Sequence, residues 1–391
     1  MKSRIVATIF LTFVIRAGLW AQVPDSLMRL VLEQNRELRV AREALQVAVI
    51  HASTGNTPPD PQVEFAYLFG KPADIGNRID FGVSQQLDFP TTYMHRSKVK
   101  DIKISQAELE YILTRQQVLL RAKKLWIEQI YLNQMHVLLA ERLQQAETIH
   151  AMVEQKVLVG EVGSLDLGHS NLMLASLEAE FGELAVLQEN TRIELQEIAG
   201  GTILDFPDTD FPPPAYFIRD SLLRDYSQGP RMQVYQQELL LKEQKKNLAV
   251  SEHLPRISAG YFSETVTDQA YRGMRLGISV PLWENANKVN RAKSALLQAE
   301  AEADWYIYQQ ERDLMQKLNR FESTSRQIIK LEEALESVDN ISLLSAALEH
   351  GEISLSEYFY SSDFYFRNKQ QLLGYKRDLL IQEAELLRVY L

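Results

Sequence analysis

The sequence predicts a mainly α-helical chain with a minority of transmembrane β-structure: long coiled-coil-like helical hairpins, four strands, and an internal two-fold repeat. Three observations predict it. Prolines are absent from residues 91–206 and 282–391. Ahead of each of those stretches lie short segments that alternate strictly between apolar and polar residues. Landmarks in the two halves recur in the same order, about 190 residues apart.

The two proline-free stretches are rich in Leu, Ala, Glu, Gln, Lys and Arg, the residues that lose least on entering a helix. In the first, apolar residues step by sevens through Ile112, Leu119 and Trp126, with Leu113, Leu120 and Ile127 alongside, while Gln116 and Lys123 interrupt the neighbouring row. Each stretch has one marked break, at Val159-Gly160-Glu161-Val162-Gly163-Ser164 and at His350-Gly351-Glu352-Ile353-Ser354. Glycine ends one helix and Ser or Asp can cap the next, so each stretch reads as a helical hairpin. Residues 91–158 alone would make a rod on the order of 100 Å. Shorter helices are expected near residues 25–54 and 231–252.

The strand segments carry the class assignment. Val63, Phe65, Tyr67 and Phe69 share one face of the first. In the next, Ile79, Phe81 and Val83 oppose Arg78, Asp80, Gly82 and Ser84. The second half repeats the pattern: Ile257, Ala259 and Tyr261 alternate with Arg256, Ser258 and Gly260, and Met274, Leu276, Ile278 and Val280 with Gly273, Arg275, Gly277 and Ser279. Strict alternation with β-branched and aromatic residues means strands. Loops at 70–77 and about 263–270 would make two hairpins. An isolated hairpin is marginal in water, so transmembrane strands are expected, apolar toward lipid and polar toward a lumen. The expected lipid-facing residues are Val63, Phe65, Tyr67, Ile79, Phe81, Val83, Met274, Leu276 and Ile278; the expected lumen-facing residues are Arg78, Asp80, Arg256 and Arg275. Membrane barrels need about eight strands at least, so four must be pooled between subunits.

Composition narrows the function. The 391 residues are 46% hydrophobic and 24% charged, and no run of about 20 apolar residues occurs, which excludes a protein of several spanning helices. The net charge of −10 argues against a general nucleic-acid binder. Without cysteine there is no thiolate chemistry, disulfide or cysteine-ligated zinc. The seven histidines are scattered, so no metal site is expected. Glu332-Glu333 and Glu383 to Glu385 read as solvated helix faces. No nucleophile or phosphate-binding motif is present, so neither an enzyme nor a cofactor is expected. Lys2 and Arg4 precede the apolar run Ile5–Ile15, and the small residue Ala21 follows, the layout of a signal peptide. The expected organisation is a signal peptide at 1–21, a first repeat at 22–200 (hairpin 62–87, helical hairpin 91–199), a linker at 201–230, and a second repeat at 231–391 (hairpin 256–282, helical hairpin 287–391).

Together with that order of elements, several quotable pieces carry a likeness: Asn35-Arg36-Glu37-Leu38, Pro59-Asp60-Pro61, Phe81-Gly82-Val83-Ser84-Gln85-Gln86-Leu87, the Val159-Gly160 turn with Asp166, Leu254-Pro255-Arg256, and Leu276-Gly277-Ile278-Ser279-Val280-Pro281-Leu282. Across residues 24–391 the chain resembles the TolC-like outer-membrane efflux proteins, with a short linker suggesting the metal- and drug-efflux branch. The resemblance implies a homotrimer with a shared 12-stranded barrel in the outer membrane and a periplasmic α-barrel. It also implies a passive exit duct served by a periplasmic adaptor (membrane fusion) protein and an inner-membrane pump such as an RND transporter. By position, Gly160, Glu161, Asp166, Gly351, Glu352 and Glu357 would form the adaptor-contacting, gated tip. Tyr360, one turn after Glu357, supplies no second acid. A soluble periplasmic coiled-coil scaffold and a polypeptide-secretion duct are the alternatives.

Overall fold

The computed structural model describes residues 25–72, 75–204, 206–207, 210–266, 269–336 and 341–391. The expected signal peptide lies outside the described residues. In chain order the elements are α1 (Asp25–Gln34), α2 (Arg36–Ser53), β1 (Gln62–Leu68), β2 (Arg78–Leu87), α3 (Pro90–Leu158), α4 (Ser164–Ile198), α5 (Arg219–Gln228), α6 (Pro230–Ser251), β3 (Arg256–Val266), β4 (Gln269–Ser279), α7 (Lys288–Glu336), α8 (Ile341–Glu349), α9 (Leu355–Leu386) and a closing 3₁₀ turn, Leu387–Tyr390. The described residues are therefore mostly helical with one four-stranded sheet. No described helix is long and apolar enough to cross a membrane.

Two compact units divide the chain: one takes residues up to Val40, Thr114–Ser227 and Glu311–Leu391, the other Ala41–Leu113 and Gln228–Gln310. The first is all helix and linker. Its main core joins Leu27, Met28 and Val31 of α1 and Leu38 of α2 to Leu119, Ala122, Trp126 and Ile130 of α3 and to Leu195 and Ile198 of α4. Each such aliphatic side chain contributes about 1.5–3 kcal/mol on full burial. Asn35 makes the break between α1 and α2. Its Oδ1 accepts from the Leu38 N–H at 2.9 Å, capping α2, and its Nδ2 donates to the Ile198 carbonyl at 2.8 Å, satisfying the end of α4. Gly200 closes α4 at φ +77°, where an added Cβ would lie 2.5 Å from the Gln34 carbonyl oxygen. Here glycine is required by the backbone angle and by the neighbour together.

Charge is buried in this unit as well. Lys123 Nζ of α3 lies 3.6 Å from Glu383 Oε1 of α9, with the two side chains 7% and 0% exposed. Glu383 Oε2 also accepts from the Ala215 N–H at 2.8 Å, tying the linker to the helices. Burial pushes the Glu383 carboxyl up and the Lys123 ammonium down from their ordinary pKa values, and each partner's charge works against that shift. Beside the pair, Gln116 donates to the Val389 carbonyl at 3.2 Å and Tyr226 to the Glu385 carbonyl at 2.9 Å. The reading of Glu383 to Glu385 as a solvated face is thus wrong for Glu383. Its partners Ala215 and Lys123 lie 168 and 260 residues away in sequence, where local pattern cannot show them.

The second unit contains the sheet, in the order β1-β2-β3-β4 with every neighbouring pair antiparallel. β3 runs to Val266 and β4 from Gln269, so 263–266 and 269–270 of the loop expected at about 263–270 are strand. The cross-strand ladder pairs Ser263, Glu264 and Thr265 with Arg272, Tyr271 and Ala270, which extends both strands past the end of the apolar alternation. Helices α3 and α6 run side by side below, joined by Gln106–Glu238 at 2.6 Å and Thr92–Ser251 at 3.4 Å. Tyr235 of α6 stacks on Tyr306 of α7 at 3.9 Å between centroids. At the strand ends, Arg256 binds Asp88 at 3.3 Å and Glu284 at 2.9 Å, and Asp88 binds Arg96 at 2.8 Å.

Removing one member of a buried pair strands the other. Glu383→Ala or Lys123→Met alone should each lower stability by about 3–5 kcal/mol, and the double variant by less than the sum. Thermal melting of the detergent-solubilised protein checks this; fully additive losses would show the pair to be uncoupled.

Candidate functional site: a two-faced sheet and two glycine turns

Register decides which strand residues share a face, because directly opposed residues of antiparallel strands project to the same side. Val63, Val83, Tyr261 and Met274 form one such row. The row above it holds Phe65, Phe81, Ser263 and Arg272, and the row below holds Gln85, Ala259 and Leu276. All nine residues expected on the apolar side, Val63, Phe65, Tyr67, Ile79, Phe81, Val83, Met274, Leu276 and Ile278, fall on this face. Phe65 is 70% exposed, Leu276 79% and Met274 91%. A folded apolar face this bare has no covering partner among the described residues.

The opposite face carries Arg78, Asp80, Arg256 and Arg275, the four residues expected on the polar side, with Glu64, Ser84, Gln86, Ser258 and Glu264 among them. A recess of about 290 Å³ lies against it. Arg78 bridges two directly opposed acids, Asp80 at 2.8 Å and Glu264 at 3.2 Å, which relieves their mutual repulsion. Phe262 is a large apolar exception, opposite Gly82 on one side and Gly273 on the other. The guanidinium of Arg275 lies 4.2 Å from its ring centroid. That cation–π contact gives Phe262 a place on a polar surface.

Within the chain, β1 pairs only with β2 and β4 only with β3. Each outer strand therefore presents a row of backbone N–H and C=O groups with no partner strand among the described residues. Strand direction alternates through the sheet, so a second copy could set its β1 beside β4 in the same antiparallel sense.

The two interrupted helical hairpins end alike. Gly160 has φ +77° and Gly351 φ +70°, with nothing within 4 Å of an added Cβ at either. After α3, the Gly160 N–H donates to Val157 O at 3.1 Å and the Glu161 N–H to Lys156 O at 2.9 Å; after α8, the Gly351 N–H donates to Leu348 O at 3.1 Å and the Glu352 N–H to Ala347 O at 2.8 Å. Both are Schellman caps, satisfying terminal carbonyls that would otherwise be left over. The following helix starts differ. Ser354 and Glu357 form a reciprocal capping box, the Ser354 N–H donating to Glu357 Oε2 at 2.8 Å and the Glu357 N–H to Ser354 Oγ at 3.2 Å. These bonds hold the Glu357 carboxyl below its usual range. Gly163 precedes α4 with no side-chain cap, and Asp166 sits in the first turn. Close by, Ile149 and Val153 of α3 pack with Leu348 and Tyr358, so the hairpins share one core.

One constellation escaped the sequence reading. Asp363 of α9 is held by Arg142 of α3 at 2.7 Å and by Arg367, one turn on, at 2.7 Å. Arg142 also lies 5.4 Å over the Phe366 ring. The Asp363–Arg367 spacing was readable as a helical pair, but Arg142 is 221 residues distant. No group of three metal-ligating residues occurs among the described residues.

The chain matches no protein-family model and no curated protein sequence. Its fold is that of solved outer-membrane channels. It superposes on VceC, an outer membrane protein of Vibrio cholerae, with a TM-score of 0.80 at 12% identity, covering 94% of this chain and 95% of that one. The CmeC outer membrane channel of Campylobacter jejuni gives 0.78 at 15% identity over 94% and 85%. CusC, which forms a transmembrane channel, gives 0.78 at 16% over 95% and 92%. At such identities the likeness establishes the fold.

Replacing Ser354 by Ala should cost about 0.5–2 kcal/mol through loss of the cap, read as faster amide hydrogen exchange in the first turn of α9. Unchanged exchange there would mean the cap contributes nothing.

Proposed function

We propose that this protein is a TolC-like outer-membrane exit duct for efflux. The observation that carries the reading is the two-faced, open-edged sheet: one face apolar and bare, the other polar and recessed, on the fold of outer-membrane channels. Three copies would close their four strands into one 12-stranded barrel, each β1 pairing with a neighbour's β4, so that no strand edge meets hydrocarbon. The apolar face then meets lipid, and Arg78, Asp80, Arg256 and Arg275 line water, where their charge is cheap. The helices would enclose a continuation of that lumen in the periplasm.

The chain's part is passive. With no nucleotide site or redox group in the reading, the driving force must come from an inner-membrane pump, coupled through a periplasmic adaptor. Gly160, Glu161, Asp166, Gly351, Glu352 and Glu357 form the surface on which an adaptor would act. Opening would be a shift in population toward a splayed arrangement that the adaptor binds better. The Arg142–Asp363 bridge joins α3 to α9 and resists such a shift. Glu357 is already engaged in its capping box, so its role is to stiffen the start of α9, with adaptor contact secondary. The tip offers Glu357 but no second acid at Tyr360, which favours a duct without a strongly acidic constriction.

An arginine facing lipid near the bilayer midplane costs about 2–4 kcal/mol per copy. Met274→Arg and Leu276→Arg should therefore abolish membrane assembly, whereas Gln86→Arg, on the polar face, should not. Electron microscopy of the detergent-extracted protein should show particles with three-fold symmetry. Normal membrane yield from both apolar-face variants, or a water-soluble particle without a barrel, would overturn the duct.

A further inference from the structure

The apolar face of the sheet carries a single charged residue among the described residues, Arg272 of β4. It is exposed, and it has no hydrogen-bond or ion-pair partner among the described residues. Its position in the face is not random. It stands on the row Phe65–Phe81–Ser263–Arg272, one row inside Tyr67–Ile79–Thr265–Ala270, at the end of the sheet remote from the helices. From Arg272 to the end of β4 at Ser279 is about 23 Å of strand, and Val280, Leu282 and Trp283 prolong the apolar surface beyond it.

Three polar groups mark the same end of the same face. Ser263 is directly opposite Arg272, Thr265 is one row farther out, and Tyr67 turns its hydroxyl to the Asn77 side-chain amide at 2.7 Å while its ring packs edge-on against Phe69. Amphipathic aromatics of this kind mark the headgroup level of a barrel. On the duct reading a guanidinium here, unpaired and beside two hydroxyls, would stand at the headgroup level. Resting on the duct reading, we propose that Arg272, with Ser263 and Thr265, binds the phosphoryl group of an anionic lipid on the outside of the barrel at its distal rim. A planar guanidinium with several N–H donors suits a phosphate, and hydroxyls can complete its coordination. In a trimer the three sites would repeat around the rim, each on the strand β4 that abuts the next subunit.

Native mass spectrometry of the full-length protein, released from nanodiscs of phosphatidylcholine containing phosphatidylglycerol, tests this directly. Arg272→Ala and Arg272→Gln should each weaken phosphatidylglycerol retention about tenfold or more, since a charged hydrogen bond is worth about 1.5–3 kcal/mol. Arg272→Lys should keep part of it, and Arg326→Ala, which removes an exposed cation on α7, should change nothing. Adding millimolar inorganic phosphate should leave retention intact. Equal retention by wild type and both neutral variants would overturn the site, and displacement by inorganic phosphate would make it a free-anion site instead. Failure of the wild-type protein to enter nanodiscs at all would instead defeat the duct reading, so the two failures are separable.

Discussion

Backbone hydrogen bonding at the margins of the sheet constrains everything else in this molecule. A four-stranded sheet in water can leave its outer N–H and C=O groups to solvent, but the same sheet with Phe65, Met274 and Leu276 bare on one face has no such freedom if that face is to be covered by lipid. On the duct reading the chain would resolve the conflict only by association. Its strands number four, alternate in direction, and end on two open edges of compatible sense. Membrane insertion and oligomerisation would then be one event, since neither the face nor the edges can be satisfied before the other.

The helical unit solves a different problem, that of holding long rods in register. Coiled-coil-like surfaces slide easily because their apolar repeats are alike, and interruptions by polar residues penalise the wrong register. Lys123 and Gln116 are such interruptions. Each finds its partner, Glu383 and the Val389 carbonyl respectively, near the carboxyl end of the chain. Displacing α3 against α9 by one turn would leave the buried Lys123 ammonium, the Glu383 Oε1 and the Gln116 side-chain amide unmatched. A buried ion pair adds little net stability over an apolar pair, but it makes one alignment far better than its neighbours.

Legibility of these features in the sequence follows their range. The glycine turns, the strand faces and the helix lengths are written in local pattern, because a positive φ, a two-residue period and a proline-free run need no distant partner. The sheet faces were especially clear since neither is buried by the chain itself, so Phe81 and Met274 alternate cleanly with polar neighbours. Ser263, Glu264 and Thr265 broke that alternation and were read as loop, although pairing with β4 keeps them in the ladder. The charge on Arg272 went unassigned for the same reason. Glu383 was misread because acids on long helices usually face solvent, and only the fold brings Lys123 and Ala215 to it. The Arg142–Asp363 bridge belongs to the same class of contact.

The two glycine turns share their exit geometry but not their re-entry. Past Gly351 the chain is stapled by Ser354 and Glu357, whereas past Gly160 it re-enters the helix at Gly163 with no side-chain cap. Glycine is a weaker N-cap than serine by only a few tenths of a kcal/mol, which corresponds to less than about two-fold more frequent fraying of that end. The start of α4 is thus the looser of the two, and two neighbouring turns with the same glycine exit behave as one stiffer jaw and one more compliant one. Any deformation imposed there from outside will be taken up first at Gly163, and unequally.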